Sequence, residues 1–215
     1  VYSIIYISEE DYFPAKLKAQ RPDITGIYTS RWIIIKNFLM SLQTEGVIFD
    51  NVFACDSFDT IFQKDIFAFM TNYNSGLYVF MEDVRMTIGT CPINSRWIKG
   101  CYGDAELKRL HSKSISCSGT VLGTWSAMMS YLSVMESEII ATPAACKDRG
   151  IDQGIHNYII YNNKIPNTTI HQISHEFGFV GTLGYAQWLK RNQFGLVLNA
   201  NGSIYAVIHQ WNRSK

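Results

Sequence analysis

Two carboxylates, Asp56 and Asp59, directly follow an apolar stretch at residues 47–55 that is predicted to be a strand. Mg²⁺ and Mn²⁺ prefer oxygen ligands, and commonly take one or two carboxylates together with substrate phosphate oxygens. His209 ends the last apolar run, and its imidazole can bind Mn²⁺ if the fold brings it to both carboxylates. The pattern therefore predicts a metal site, with a turn cap, a solvated acid and a structural histidine as the alternative.

A second polar group starts a predicted helix at residues 152–161, where Asp152 and Gln153 are followed one turn later by His156 and Asn157. These side chains offer directional donors and acceptors, so they can bind sugar hydroxyls or supply a general base. The alternative is an N-cap near Asp152 followed by ordinary polar helix residues.

The elements around these residues are predicted from periodicity and turn chemistry. Residues 1–8 and Leu77–Met81 are predicted strands, and the second runs directly into Glu82 and Asp83. Two strands that end in carboxylates are informative, because open α/β sheets bind ligands at the carboxyl ends of their strands. Residues 31–43 have helical spacing, with Ser30 as the predicted N-cap.

The second half of the chain continues with a strand, a turn and a helix. The strand is predicted at residues 115–117, the turn at Ser118 and Gly119, and the helix at residues 120–137. Four strand-like segments come last, with Asn201-Gly202 favouring a hairpin between the final two. They lie at residues 168–173, 179–183, 194–198 and 203–209. This order predicts an α/β fold with a central mixed sheet flanked by helices and a C-terminal β-hairpin.

The composition limits the class of protein. A length of 215 residues predicts a single domain, and 47% hydrophobic residues suffice for a packed core. The net charge of +1 gives no global field for nucleic acid or an anionic membrane, and the apolar runs are too short to span a bilayer. Because Val1 lies inside an apolar run, we expect a fragment of a longer precursor.

The cysteines and glycosylation sequons bear on the compartment. The five cysteines form no C-x-x-C pair, so most are expected to be buried apolar residues, although a disulfide such as Cys91–Cys101 fits an oxidising compartment. Sequons begin at Asn167, Asn201 and Asn212, and they have meaning only in a secreted protein.

Taken in order, the motifs resemble the GT-A-fold nucleotide-sugar glycosyltransferases, and in particular a little-characterised single-domain group among them. The resemblance covers roughly residues 28–213. It is carried by Asp56-x-x-Asp59-x-x-Phe62-Gln63-x-Asp65-x-Phe67, Cys117-Ser118-Gly119-Thr120, Asp152-Gln153 with Asn157, and Val207-x-His209-Gln210 followed by Arg213. The usual family motif is D-x-D, whereas two residues separate the acids in this chain. The fold normally begins with a strand that helps to hold the nucleotide base, and this chain is expected to lack it.

The resemblance implies a Mn²⁺ or Mg²⁺ site formed by Asp56, Asp59 and His209. The donor would be a nucleotide-diphospho-sugar, and the acceptor a hydroxyl of a carbohydrate or glycoconjugate. The metal would neutralise the departing diphosphate, and Arg31, Lys36 or Arg213 would add positive charge beside it.

The resemblance also implies which residues surround the reacting sugar. Ser118 and Gly119 would approach the donor sugar, while Asp152 and Gln153 would lie beside the sugar and the acceptor. Asp152 is the first candidate and Asp83 the second for the carboxylate that deprotonates the acceptor hydroxyl or steadies a cationic sugar. A Golgi or other secretory location is the corresponding expectation.

Two other functions are compatible with the same residues. A non-catalytic carbohydrate-binding protein, or an inactive relative, would stack sugars on an exposed aromatic such as Trp211. A hydrolase would use Ser118 or Cys117 as nucleophile at the predicted turn, although the first Gly of G-x-S-x-G is absent.

Overall fold

The central strand of the fold is β3 (Leu77–Met81), in which every residue is buried. The structure, a computed structural model, describes residues 9–72, 75–143, 146, 150–185 and 189–213. The run Leu-Tyr-Val-Phe-Met has no polar position because both faces of this strand are covered by other parts of the chain. The strand predicted at these five residues is confirmed.

The other elements enclose this strand. The α-helices are α1 (Glu9–Tyr12), α2 (Ala15–Gln20), α3 (Ile27–Thr44), α4 (Pro92–Leu110), α5 (Trp125–Ala141) and α6 (Ile151–Tyr161), and short 3₁₀ helices lie at Pro22–Ile24, Phe67–Asn72 and Trp211–Arg213. The remaining strands are β1 (Asn51–Cys55), β2 (Thr60–Phe62), β4 (Ser116–Thr124), β5 (Ile170–Ile173), β6 (Val180–Thr182), β7 (Lys190–Arg191), β8 (Val197–Leu198) and β9 (Val207–His209).

The main sheet has the strand order β1-β4-β3-β5. Strand β4 is antiparallel to both β1 and β3, with Cys55 opposite Thr120 and Met81 opposite Ser116, while β5 is parallel to β3. The carboxyl ends of β1 and β3 therefore lie at the same edge as the start of β4. The predicted mixed sheet flanked by helices is confirmed at this level.

Alternate residues of β3 pack into two different cores, as expected for a strand buried on both faces. Leu77, Val79 and Met81 lie in the larger core with residues of α3, α5 and α6. Tyr78 and Phe80 lie in a second core, formed with a small sheet of strand order β2-β9-β6. The small sheet therefore covers the face of β3 that the helices do not cover.

Several predicted boundaries were wrong. Helix α3 begins at Ile27 after Gly26, so Ser30 is a buried helix residue and not its N-cap. Residues 47–50 are not a strand, because the backbone turns after α3 and the Val47 amide donates to the Leu42 carbonyl at 2.8 Å. Helix α6 is preceded by Gly150, so Asp152 lies in its first turn and is not the cap.

The predicted turn at Ser118 and Gly119 was also wrong, because β4 continues through both residues to Thr124 and α5 starts only at Trp125. The small residues of β4 allow close packing in the middle of the sheet. For example, a Cβ on Gly123 would lie only 3.1 Å from Leu77 Cδ1. The apolar spacing after Gly119 fits either a helix or a strand, so periodicity could not locate the boundary.

The predicted C-terminal hairpin is not a paired two-stranded ladder. Strand β8 pairs with β7, and β9 pairs with β2 and β6. A single antiparallel bridge joins Leu198 to Ile204, and the Asn199 amide donates to the Ser203 carbonyl at 2.8 Å. The tight turn therefore forms, but the chain after it moves into the small sheet. The strand predicted at residues 1–8 lies outside the described residues.

The disulfide joins Cys101 to Cys146, so the predicted Cys91–Cys101 pairing is wrong. Cys91 precedes the first residue of α4 and Cys101 lies on the same helix, so about 15 Å of helix separates them, more than a disulfide spans. Cys91 is a buried free thiol. Among the described residues, no helix is both long and apolar enough to cross a membrane.

Buried polar contacts fix α6 against β4. The two ring nitrogens of His156 each lie 2.8 Å from a hydroxyl, Nε2 from Ser116 Oγ and Nδ1 from Tyr131 Oη. The Asn157 side chain accepts a hydrogen bond from the Ser116 amide and donates one to the Ser116 carbonyl, both at 2.8 Å. Burial, with a smaller contribution from the charge of Arg31, lowers the pKa of His156 to about 3.

The low pKa of His156 predicts a pH-dependent stability. An unfolded chain binds a proton at this histidine near pH 6.5, whereas the folded chain resists protonation until about pH 3. Its contribution is therefore complete above pH 6.5 and is lost as the pH falls, by up to about 1.4 kcal/mol per unit. In urea unfolding at pH 7, 5.5 and 4, we expect His156→Gln to lose less stability with falling pH than wild type. The exposed His111→Gln is the control, and equal slopes for His156→Gln and wild type would contradict the prediction.

Candidate metal centre

The loop between β1 and β2 carries Asp56 and Asp59. The Asp56 amide donates to the Gly119 carbonyl at 2.9 Å, which extends the β1–β4 pairing by one residue and fixes the start of the loop. Asp59 directly precedes Thr60, which pairs with His209 in the small sheet. The β1–β2 loop therefore crosses from one sheet to the other and brings both aspartates to the end of β9.

Asp56, Asp59 and His209 converge as the sequence predicted. Each offers one ligand atom, and the three atoms lie within 4.8 Å of one another. His209 Nε2 lies 3.4 Å from Asp56 Oδ2 and 3.3 Å from Asp59 Oδ1. This nitrogen is buried and has no hydrogen-bond partner among the described residues. A buried imidazole nitrogen held between two carboxylates fits a divalent cation with mixed oxygen and nitrogen ligands.

The pKa of His209 reflects its burial and three neighbouring side chains. Burial alone would lower the pKa of His209, but Cys117, Asp56 and Asp59 together raise it to about 10. Its Nδ1 lies 3.4 Å from the Cys117 sulfur, a contact that orients the ring from the side opposite the carboxylates. A positively charged imidazole would balance the two carboxylates, and a bound cation would take the place of its Nε2 proton.

Asp56, Asp59 and His209 are called the metal cluster below, as the candidate metal ligands. A cavity of about 270 Å³ adjoins this cluster, and Asp56 belongs to both. Its wall carries several charged side chains and comes from α3, α4, β4, α6, the loops after β1, β3 and β6, and the 3₁₀ helix after β9. The lining residues are Tyr28, Arg31, Asp56, Glu82, Ile93, Asn94, Trp97, Ser118, Gly119, Gly150, Asp152, Gln153, Gly184, Tyr185 and Arg213. Six of the predicted site residues, Arg31, Asp56, Ser118, Gly119, Asp152 and Gln153, therefore share one cavity.

Arg31 links the two sides of this cavity. Its guanidinium forms ion pairs with Asp56 and with Asp152, the latter at 2.5 Å from Oδ2. Asp152 Oδ2 also accepts hydrogen bonds from Trp32 Nε1 at 3.0 Å and Ser118 Oγ at 3.4 Å. Asp152 is therefore a fixed, charge-compensated acceptor beside the cavity.

Gln153 contacts Glu82, an acid that was not predicted as a site residue. Its amide nitrogen lies 3.2 Å from Glu82 Oε1 and 3.3 Å from Asn94 Oδ1. Glu82 lines the cavity although only 3% of its surface is exposed, and burial raises its pKa to about 7. The sequence placed Glu82 and Asp83 together at the end of β3, and Asp83 was the one predicted as a candidate base.

Asp83 lies apart from the other predicted residues. Hydrogen bonds from Arg85 lower the pKa of its carboxyl, and the Arg85 guanidinium lies 2.5 Å from Asp83 Oδ2. It lines a separate cavity of about 300 Å³, together with His175 and Tyr205. The structure therefore does not bring Asp83 to the cavity beside the metal cluster.

Two residues near the C-terminus complete the surroundings. Arg213 reaches Asp59, with its guanidinium 3.6 Å from Oδ2, and also lines the cavity. Trp211 is 46% exposed, and its amide donates to the Asp59 carbonyl at 3.4 Å. Both follow His209 within four residues, so the end of β9 positions a cation and an aromatic ring near the metal cluster.

Comparison with known proteins assigns no family to the chain. No protein-family model matches it, and no curated protein matches it either. The case for a function therefore rests on the side chains around the cavity.

The metal cluster predicts the effect of removing its ligands. We expect Asp56→Ala, Asp59→Ala and His209→Ala each to weaken Mn²⁺ binding by more than about tenfold, because each removes one of three ligands. Calorimetric titration measures the affinity, and far-UV circular dichroism checks folding. Asp65→Ala, which changes an exposed acid close to Asp59 in sequence, is the matched control. Wild-type Mn²⁺ affinity in all three ligand variants would show that this cluster is not the metal site.

Gly119 provides a second test, because no larger residue fits beside the cluster. A Cβ at this position would lie 2.4 Å from His209 Cε1 and 2.8 Å from Asp56 Oδ2. We expect Gly119→Ala to displace a ligand and weaken Mn²⁺ binding by roughly tenfold or more. Gly100→Ala is the control, since a Cβ there meets no atom within 4 Å. Unchanged affinity in Gly119→Ala, measured in the same titration, would contradict the arrangement.

Proposed function

We propose that this protein is a metal-dependent glycosyltransferase that moves a sugar from a nucleotide-diphosphate donor to a hydroxyl acceptor. The observation that carries the proposal is the buried His209 Nε2, held between Asp56 and Asp59 at the edge of a cavity lined by charged side chains. A phosphate-containing donor in the cavity would lie beside both the cluster and Arg31, because Asp56 contacts both.

The charged groups suit a diphosphate leaving group. A bound Mn²⁺ or Mg²⁺ supplies positive charge to the leaving oxygen. Arg31 and Arg213 line the same cavity and would bind the remaining phosphate oxygens, since guanidinium groups match phosphate geometry. Arg31 would exchange its contact with Asp56 for one with phosphate, while its contact with Asp152 keeps it in place.

The polar residues near Arg31 suit a sugar. Ser118, Asp152 and Gln153 present a hydroxyl, a carboxylate and an amide to the cavity, which is the chemistry that binds sugar hydroxyls. Asp152 has its Oδ2 engaged by three donors, so we assign it the role of orienting Arg31 and steadying positive charge on the sugar. Gly119 has no side chain, so the donor sugar could approach the β4 backbone closely at this position.

A non-catalytic carbohydrate-binding protein is the second candidate, and the half-exposed Trp211 beside the cluster favours it. That function predicts sugar binding without metal or nucleotide. The hydrolase alternative loses its main support, because Ser118 and Cys117 lie buried within β4 and not on a strand-to-helix turn.

A secretory location belongs to the same proposal. The Cys101–Cys146 disulfide requires an oxidising compartment to form efficiently. The sequon asparagines Asn167, Asn201 and Asn212 are all exposed, as an attached glycan requires.

The test is calorimetric titration of UDP and GDP into the protein, with Mn²⁺ and with EDTA. We expect one nucleotide to bind with Mn²⁺ and to lose at least about tenfold in affinity with EDTA, since its diphosphate would be bound largely through the metal. Arg31→Gln should weaken the same binding, and Arg109→Gln, on an exposed face of α4, should not. Binding of free sugars that EDTA does not affect, with no binding of either nucleotide, would instead support the carbohydrate-binding protein.

A further inference from the structure

We propose that Glu82 is the catalytic base that takes the proton from the acceptor hydroxyl. This inference rests on the proposed glycosyl transfer and deepens it, because it assigns the proton to a residue other than Asp152 or Asp83. It also assigns the acceptor hydroxyl to the part of the cavity between β3 and α6.

The position of Glu82 is fixed by the main sheet. Its amide donates to the Ile115 carbonyl at 2.8 Å, which continues the pairing of β3 with the chain entering β4. The side chain lines the cavity that also contains Arg31 and Asp152. Backbone pairing thus holds the Glu82 backbone at the edge where β1, β3 and β4 meet, and Gln153 contacts its carboxyl.

The contacts of the cavity carboxylates differ in kind. Asp56 and Asp152 both form ion pairs with Arg31, so a guanidinium already matches their negative charges. Glu82 forms no salt bridge with any residue in the part of the chain that the structure describes, and its partner Gln153 is a neutral amide. Of the three acids that line the cavity, Glu82 is therefore the one whose charge is not already matched by a guanidinium.

The surroundings of Glu82 agree with a group that changes protonation near neutral pH. Burial raises its pKa to about 7, against smaller opposing effects from Gln153, His209, Arg213 and Cys117. Tyr185, on the loop after β6, also interacts with it electrostatically. A base is most effective when its pKa lies near the working pH.

The proposed step balances as a single displacement. The acceptor oxygen forms a bond to the anomeric carbon while the bond from that carbon to the diphosphate oxygen breaks. The electron pair of the broken bond leaves on the diphosphate, and the acceptor proton moves to Glu82. Glu82 then releases the proton to solvent when the products leave. A displacement of this kind, with attack from the side opposite the leaving group, would invert the anomeric centre.

The test separates proton transfer from donor binding. UDP-glucose, UDP-galactose and GDP-mannose serve as donors with Mn²⁺, water and methyl glycosides serve as acceptors, and release of the nucleoside diphosphate is followed. We expect Glu82→Gln to bind the nucleotide within about twofold of wild type and to lower kcat by about 10²- to 10⁴-fold. Wild-type kcat should rise with pH through about 7, and this rise should be absent in Glu82→Gln.

Two further variants identify the role. Glu82→Asp keeps a carboxyl and should recover part of the lost kcat, while Asp83→Asn changes the adjacent acid outside the cavity and should keep wild-type turnover. Wild-type kcat in Glu82→Gln, or a loss confined to nucleotide binding, would overturn the assignment. Failure of the wild-type protein to bind either nucleotide with Mn²⁺ would instead overturn the proposed transferase, so the two failures are distinguishable.

Discussion

The pairing of β4 between β1 and β3 is the constraint on which the site depends. Because β4 is antiparallel to both neighbours, their carboxyl ends meet at its first residues. Asp56 leaves β1 and Glu82 leaves β3 at this edge, while Ser118 and Gly119 lie on β4 between them. The helices then supply Arg31 and Asp152 from one face, and the small sheet supplies His209 from the other. A change in the register of β4 would separate all of these groups at once.

Charge compensation explains why so many ionisable groups can share a largely buried region. Burying a charge is costly unless a partner of opposite sign lies close by. Arg31 compensates Asp56 and Asp152, and His209 compensates Asp56 and Asp59. A diphosphate and a divalent cation would enter as a pair of opposite charges, so their binding would rearrange these contacts without leaving a large net charge buried.

The sequence was sufficient to predict the mixed sheet flanked by helices and the convergence of Asp56, Asp59 and His209. Leu77–Met81 has an unbroken apolar run with clear ends, so its boundaries were correct. Asp56, Asp59 and His209 were predicted from residue chemistry at strand ends, and the fold does bring them together. The end of β4 was not predictable, because small and apolar residues continue from the strand into α5 without a break in pattern. Asp83 was predicted as a candidate base in preference to Glu82, and the fold places Glu82 in the cavity instead. The choice between adjacent acids depends on which side of the chain faces the cavity, and long-range packing decides that.

The Cys101–Cys146 disulfide has a practical consequence for anyone producing this protein. It closes a loop with a sequence separation of 45 residues that contains β4 and α5, and such a closure stabilises a fold by about 4 kcal/mol by restricting the unfolded chain. The same loop contains Cys117, whose sulfur lies beside His209. An incorrect disulfide to Cys117 would therefore disturb the position of His209. Expression in an oxidising compartment with disulfide isomerase, rather than refolding from reduced aggregates, is therefore the route that protects both the fold and the site.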